Sequence, residues 1–523
     1  MSKYLVNSNS IQQTLQFPLQ FFYEDAIEKD DISRTVKEVV EGVNIFKYID
    51  FSHRNAYGYD AVKMLECVIL AFSLYGYAST RKLEDLCKYD IRFQFIMSGQ
   101  TPSHMAFQRF IHDDLMMPIE EIFVDINKYI EEHDQINTDI LYIDGTKFEA
   151  NANKMTFVWM NATKKYAIKR WAKIMQRLID FNNYCSTNAI PVKFSILKEV
   201  SVEYLLEIIR RIEMIMNEKN IVSTSGKGKR KHVIQRYKEA FQEDLRKIYK
   251  YTTYYEIAKG RNSFSKTDYD ATFMHMKYDY YNNTNVFKPG YNVQIGSSEG
   301  YIRHVYISSD GNDLNTYIPF MNGYHKAYGT FPSMTPADAG YGSFDNYKFC
   351  KEQGIGLYMK YGTYRKELAK VTDENRFKSF NMKRDEDGDI ICPAGHKFTL
   401  IKSTTNTKGQ YPKEIKTYVN NNCANCPLRD KCTKSKSGRS LKITEELVNF
   451  QTEVKENLST DFGKQLMKNR SVQAEGIFGQ IKQDNQYDRL RRRGITGVKL
   501  ELLLVCIGHN LRKFHTRKFS IQS

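Results

Sequence analysis

The chain has 523 residues, 41% hydrophobic and 26% charged, which excludes wholesale disorder and implies two to four domains. Lysine and arginine number 77 against 61 acidic residues, a formal charge of +16. That excess favours polyanions such as nucleic acid, because each neutralised phosphate releases a condensed counterion; a generic basic surface is the alternative.

No continuous apolar core follows Met1, so no secretory signal is expected. The longest apolar run, CVILAFSLYGYA at 67–78, is shorter than the about 20 residues of a bilayer span, so no membrane partner is expected. Nine cysteines, an odd number and mostly scattered, suit a reducing compartment and a cytoplasmic protein.

Residues 1–30 read as an irregular arm, and 31–135 as helices joined by short turns. Ser79 or Thr80 can cap one helix and Ser103 another. Arg81, Lys82, Lys88, Arg92 and Arg109 on the polar faces make this bundle a candidate DNA-contacting domain, with solvated charge as the plainer reading. At 140–151, ILYIDGTKFEAN reads as a buried strand broken by Asp144-Gly145, a common turn dipeptide.

From 163 to 258 the pattern is helical again. Leu205, Ile208, Ile209, Ile212 and Ile215 form one apolar face, either core or a dimer surface. The link STSGKGKRKH at 223–232 reads as a flexible basic loop. Two apolar segments around Ser-Ser-Glu-Gly at 297–300 signal a hairpin. A helix follows near 315–328, then a short strand ending in Asp338. The tail from 460 to 515 is helical.

Asp144, Asp338 and Glu475 fall at the ends of apolar elements, and a mixed sheet can bring two strand-end acids and one helical acid together. Clustered carboxylates repel unless cations are bound, and hard oxygen ligands select Mg²⁺ or Mn²⁺. Each acid also fits a structural role, and Asp139, Glu149, Asp310, Asp313 and Asp345 remain rivals. Cys392, Cys423, Cys426 and Cys432 have the makings of a closed structural Zn²⁺ site, with His396 as a substitute ligand and reduced thiols as the alternative.

Several blocks carry a resemblance: YIDGTKFEANANKMTFVW, SKTDYDATFMHMK, KPGYNVQI, ADAGYGSFDNY and EGIFGQIKQDNQYDRLRRRG…HNLRK. In order, they resemble bacterial insertion-sequence transposases of the DDE class, and residues 55–110 resemble their InsH-like N-terminal domain. The resemblance implies an α/β (mixed) fold with an RNase H-like catalytic core. Around that core it implies a helical N-terminal DNA-binding domain (1–135), a helical insertion (163–260) and a Cys-containing insertion (376–460). The core itself is then assembled from 136–162, 261–375 and 461–523.

It further implies Asp144, Asp338 and Glu475 as catalytic ligands of two Mg²⁺ or Mn²⁺ ions. These would nick DNA at inverted-repeat transposon ends and transfer the strand into target DNA, in a synaptic homodimer. A metal-dependent nuclease without strand transfer, or a non-catalytic DNA-binding derivative, are the alternatives. Lys482, seven residues after Glu475, fits the family's phosphate-gripping lysine. Upstream the pattern departs: Lys468 and Ser471 occupy the Tyr and Arg positions, and Arg470, one place off, is kept as a candidate DNA contact. Arg489, Arg491, Arg492 and Arg493 are candidate DNA contacts just beyond this helix.

Overall fold

The computed structural model describes residues 24–48, 58–226, 230–279, 284–484 and 487–520. Most of the expected N-terminal arm, and the middle of the basic loop at 223–232, lie outside these. The chain divides into two compact units, Met1–Phe148 with Asn292–Ser523, and Glu149–Tyr291.

The larger unit begins with helices α1 (Ile32–Gly42), α2 (Ala61–Tyr75), α3 (Thr80–Tyr89), α4 (Ile91–Ile96), α5 (His104–Arg109) and α6 (Ile119–His133). Their starts follow side-chain capping. Asp31, Asp60, Ser79, Asp90 and Ser103 each accept an otherwise orphaned backbone N–H. Ser79, rather than Thr80, therefore caps α3. Within α2, Glu66 is buried, and burial pushes its carboxyl up to about 7.

Strand β1 (Tyr142–Glu149) follows. It does not break at Asp144-Gly145 but runs through both residues. Two bonds secure its start: Leu141 N–H donates to Met334 O (2.9 Å) and Ile143 N–H to Pro336 O (3.0 Å). Gly145 is explained by crowding instead of a turn, since a Cβ there would lie 2.5 Å from Gln294 Oε1 and 2.8 Å from the Tyr341 hydroxyl.

The second unit opens with β2 (Phe157–Trp159) and three long helices, α7 (Met160–Thr187), α8 (Val202–Glu218) and α9 (Val233–Ala258). Leu205, Ile208, Ile209, Ile212 and Ile215 are all buried among Ile174, Leu178, Phe181 and Phe241. That stripe is core, so it is not free to receive a second subunit. Asp244, fully buried between α7 and α9, is paired with Arg170 (3.0 Å) and Arg177. Strand β3 (Ser263–Ser265) pairs antiparallel with β2, and β4 (Thr272–Asp279) with the first half of β5 (Thr284–Ser298).

Back in the larger unit, the second half of β5 pairs antiparallel with β6 (Tyr301–Ser308) through the two-residue turn Glu299-Gly300, the expected hairpin. On the other side of β5 lies β1. Beyond β1 the sheet continues through parallel bridges, Ile140 to Met334, Met334 to Gly356, and Ala337 to Met359. The expected strand before Asp338 is thus a bridged extended segment and not a full strand, interrupted by Pro336, which has no N–H to donate. Helices α10 (Tyr317–Tyr328) and α11 (Phe344–Glu352) link these segments and bury Tyr317, Phe320, Tyr347 and Phe349 with Leu141 and Ile143.

After α12 (Tyr364–Leu368), the Cys-containing segment holds β7 (Lys383–Arg384), β8 (Ile390–Ile391), β9 (Thr399–Asn406), β10 (Lys413–Asn420), α13 (Arg429–Cys432) and β11 (Arg439–Ile443). Its small sheet has the order β11-β10-β9. Helices α14 (Glu445–Ser459), α15 (Asp461–Arg470), α16 (Gly476–Gly479) and α17 (Gly494–Ser520) complete the unit. Helix α17 is long and apolar enough to cross a membrane by composition, but its apolar stretch is mostly buried, packed on α2, α6 and β6. Asn510 fixes that packing: it accepts the Ile302 N–H (2.8 Å) and donates to Ile302 O and Asn127 Oδ1 (both 2.8 Å).

Candidate active site

The acids Asp144, Asp338 and Glu475 reach one region by three routes. Asp144 lies within β1, where its Oδ1 accepts the Gly145 N–H (3.0 Å). Asp338 leaves the bridged segment beside β1, and its Oδ1 accepts the Gly340 N–H (2.7 Å). Glu475 ends a π-helical turn, Ser471–Glu475, that continues α15. Leu466 and Ala474 of that helical run pack on Tyr142 of β1. Gln473 accepts the Gly300 N–H at the β5–β6 turn (2.6 Å), which fixes the rotation of the run.

Charge interactions link Asp144 to both other acids. Burial pushes the Asp144 carboxyl up to about 6; Arg470 opposes this, while Asp338 and Glu475 add to it. Asp338 is also raised, first by burial, against the Gly340 N–H and Arg470, with Asp313 and Glu475 pushing it further. Asp313 is thus a fourth carboxylate of the site. Its Oδ1 accepts from Asn292 Nδ2 (2.7 Å) and Gln294 Nε2 (3.1 Å) of β5.

Arg470 lies among these acids, with Nη1 3.6 Å from Asp144 Oδ1 and Nη2 2.7 Å from Glu475 Oε1. Its position, five residues before Glu475, departs by one from the pattern of the resemblance. The π turn absorbs the difference, because i→i+5 bonding brings residues five apart onto one face. A second π turn, Gln480–Asp484, carries Lys482. Its Nζ donates to Thr146 Oγ1 (2.7 Å) and Lys147 O (2.8 Å) and sits 4.4 Å from the Phe148 ring centre, so it adjoins the strand of Asp144.

Among the described residues, no group of three or more His, Cys, Asp or Glu side chains is arranged to hold a metal ion. The expected carboxylate cage is therefore not closed. Its all-oxygen donors suit Mg²⁺ or Mn²⁺, but Arg470 bridges two of them. The four cysteines stand similarly. Cys392, Cys423, Cys426 and Cys432 are half-buried around one 20 Å³ cavity, beside His396, without forming a ligand cage. Cys423 Sγ accepts the Arg439 N–H (3.4 Å), and burial, then the other three thiols, raises the Cys432 thiol against Arg439.

The remaining basic candidates stand on α3 and in the segment before α17. Arg81 and Lys82 are exposed on α3, with Lys82 5.1 Å from the Tyr75 ring centre. Arg489, Arg491, Arg492 and Arg493 precede α17, and Arg491 and Arg493 are exposed. Their loop is clamped by a residue that sequence reasoning missed. Buried Glu501 accepts from the Tyr487 hydroxyl (2.5 Å), the Arg491 N–H (2.8 Å) and the Arg492 N–H (2.6 Å). Its only sequence signal is a lone acid within LELLLVCIG.

Two family models match the chain: the transposase DDE domain over residues 391–515, and a transposase domain, DUF772, over residues 21–113. The first spans the cysteines, Arg470, Glu475 and Lys482; neither reaches Asp144 or Asp338. No curated protein and no solved structure matches. Two separate segments of the chain, one near each end of the described residues, are thus similar to transposase families, the later of them to the DDE domain.

Proposed function

We propose that the protein nicks DNA at the ends of a transposon and joins the freed strand to target DNA, with Asp144, Asp338 and Glu475 as the metal-binding triad. The observation that carries this reading is Arg470, which stands 3.6 Å from Asp144 and 2.7 Å from Glu475 and so ties a strand acid to one inside the matched DDE segment, with Asp338 close enough to raise the Asp144 carboxyl. The sheet supports it. Its order is β6, β5, β1 and then the segments around Met334 and Met359, with the last three parallel, as in an RNase H-like core.

Two Mg²⁺ or Mn²⁺ ions, when bound, would supply an activated water or 3′-hydroxyl and stabilise the leaving oxygen. The chain's own part is positional. Backbone N–H bonds orient Asp144 and Asp338, and the Gln473 anchor sets the height of Glu475. Lys482 beside Thr146 offers a cation to a phosphate entering along β1. Arg81, Lys82 and the arginines of 489–493 would hold more distant phosphates, and two copies would synapse two ends.

The test is incubation with Mg²⁺ and DNA bearing the element's terminal inverted repeats, resolved on denaturing gels. Nicked ends and joined products are expected. Cleavage without joining would leave a nuclease, and binding without cleavage a DNA-binding derivative; either outcome overturns the proposal.

The four thiols have the donor chemistry of a structural Zn²⁺ site that pins β8 to the β10–β11 region. Elemental analysis of protein purified without chelator should find about one zinc per chain, the number one tetrahedral Cys₄ site holds. Absence of zinc, with all four thiols free to react, removes this reading.

A further inference from the structure

Arg470 is the only cation paired with two members of the acidic cluster among the described ion pairs. It is buried, at 8% exposure, where an arginine is held only with partners. Its Nη2 makes a charge-assisted bond to Glu475, its Nη1 stands 3.6 Å from Asp144, and its Nε is buried with no hydrogen-bond partner. The guanidinium is therefore anchored well at one end only. Few bonds would be lost if it swung away from Asp144.

A divalent ion on these acids needs the same carboxylate lone pairs, at oxygen distances of roughly 2.0–2.2 Å. Two positive groups cannot share that space, because the guanidinium is permanently charged and cannot release a proton to make way.

We infer that Arg470 is the resident counter-ion of the carboxylate site, and that a divalent cation loads by displacing its guanidinium from Asp144 and Glu475. The inference rests on the triad reading given above. It makes Arg470 a positioning residue that keeps the acids together before metal arrives and lowers metal affinity by competition. The departure of the metal would be met by the return of the arginine, so the acids need not spring apart.

The test is Mn²⁺ binding to the full chain without DNA, by calorimetry and by the spin signal of free Mn²⁺, for wild type, Arg470→Gln, Arg470→Lys and Asp144→Asn. Arg470→Gln should bind Mn²⁺ about tenfold tighter, the equivalent of one charge-assisted hydrogen bond no longer broken. It should also melt earlier in chelator and gain more melting temperature from Mn²⁺ than wild type does. Arg470→Lys, which keeps the charge but not the fork, should fall between them and decides the matter should the glutamine variant not fold. Unchanged or weaker binding in the folded arginine variants, with Asp144→Asn still weakening it, overturns the counter-ion role and leaves the triad standing. Wild-type binding by Asp144→Asn overturns the triad and the inference together.

Discussion

Asp144→Asn should lower Mg²⁺-dependent cleavage of transposon-end DNA by ~10³-fold or more while leaving DNA affinity within about twofold, since a ligand to a catalytic ion commands several kcal/mol of transition-state stabilisation. The substitution separates charge from shape. The asparagine carbonyl can still accept the Gly145 N–H, so β1 keeps its local geometry. What goes is a buried negative charge that Asp338 and Glu475 already disfavour. Loss of stability is therefore not expected, and relief of repulsion offsets the lost attraction to Arg470. Gel-resolved cleavage and fluorescence anisotropy on one DNA duplex check both halves. Cleavage retained within tenfold would show that Asp144 holds no catalytic ion.

Glu501→Ala carries the largest expected cost in stability, about 3–5 kcal/mol, as for breaking a buried charged network. Three donors converge on this carboxylate, and alanine strands the Tyr487 hydroxyl and two backbone N–H groups in a buried setting. Glu501→Gln retains an acceptor and should lose less. Urea denaturation measures both. Because the clamp also fixes the backbone of Arg491 and Arg492, folded Glu501→Gln should bind DNA more weakly and with a shallower salt dependence. An unchanged denaturation midpoint for the alanine variant would sink the clamp.

Several elements around these acids could be read from residues alone, and the departures have physical causes. Asp144 stands out because it interrupts an apolar run, but local propensity assigns Asp-Gly to a turn. Bonds from β1 to Met334 and Pro336, together with the space filled by Gln294 and Tyr341, override that preference. The segment before Asp338 has strand composition, yet Pro336 limits its pairing to bridges. Counting along a regular helix left Arg470 out of register with Glu475, since periodicity gives no warning of a π turn. Asp313 was one of several rival acids that sequence could not rank, and Glu501 was unremarkable, because their settings come from partners elsewhere along the chain, Asn292 and Gln294 for one, Tyr487 for the other. The hydrophobic stripe at 205–215 shows the opposite limit: its existence was clear, but whether core or a second subunit covers it is a tertiary question.

The burial of α17 against α2 has a consequence for biosynthesis. At their crossing Gly508 approaches so closely that a Cβ would lie 2.6 Å from the Phe72 carbonyl carbon. Helix α2 thus leaves the ribosome well before the helix that packs on it, and until α17 is made part of its apolar surface lacks its native cover. A message cut short before residue 494 would yield a chain with every acid of the site and no means of finishing its own fold, a natural substrate for chaperones and proteases.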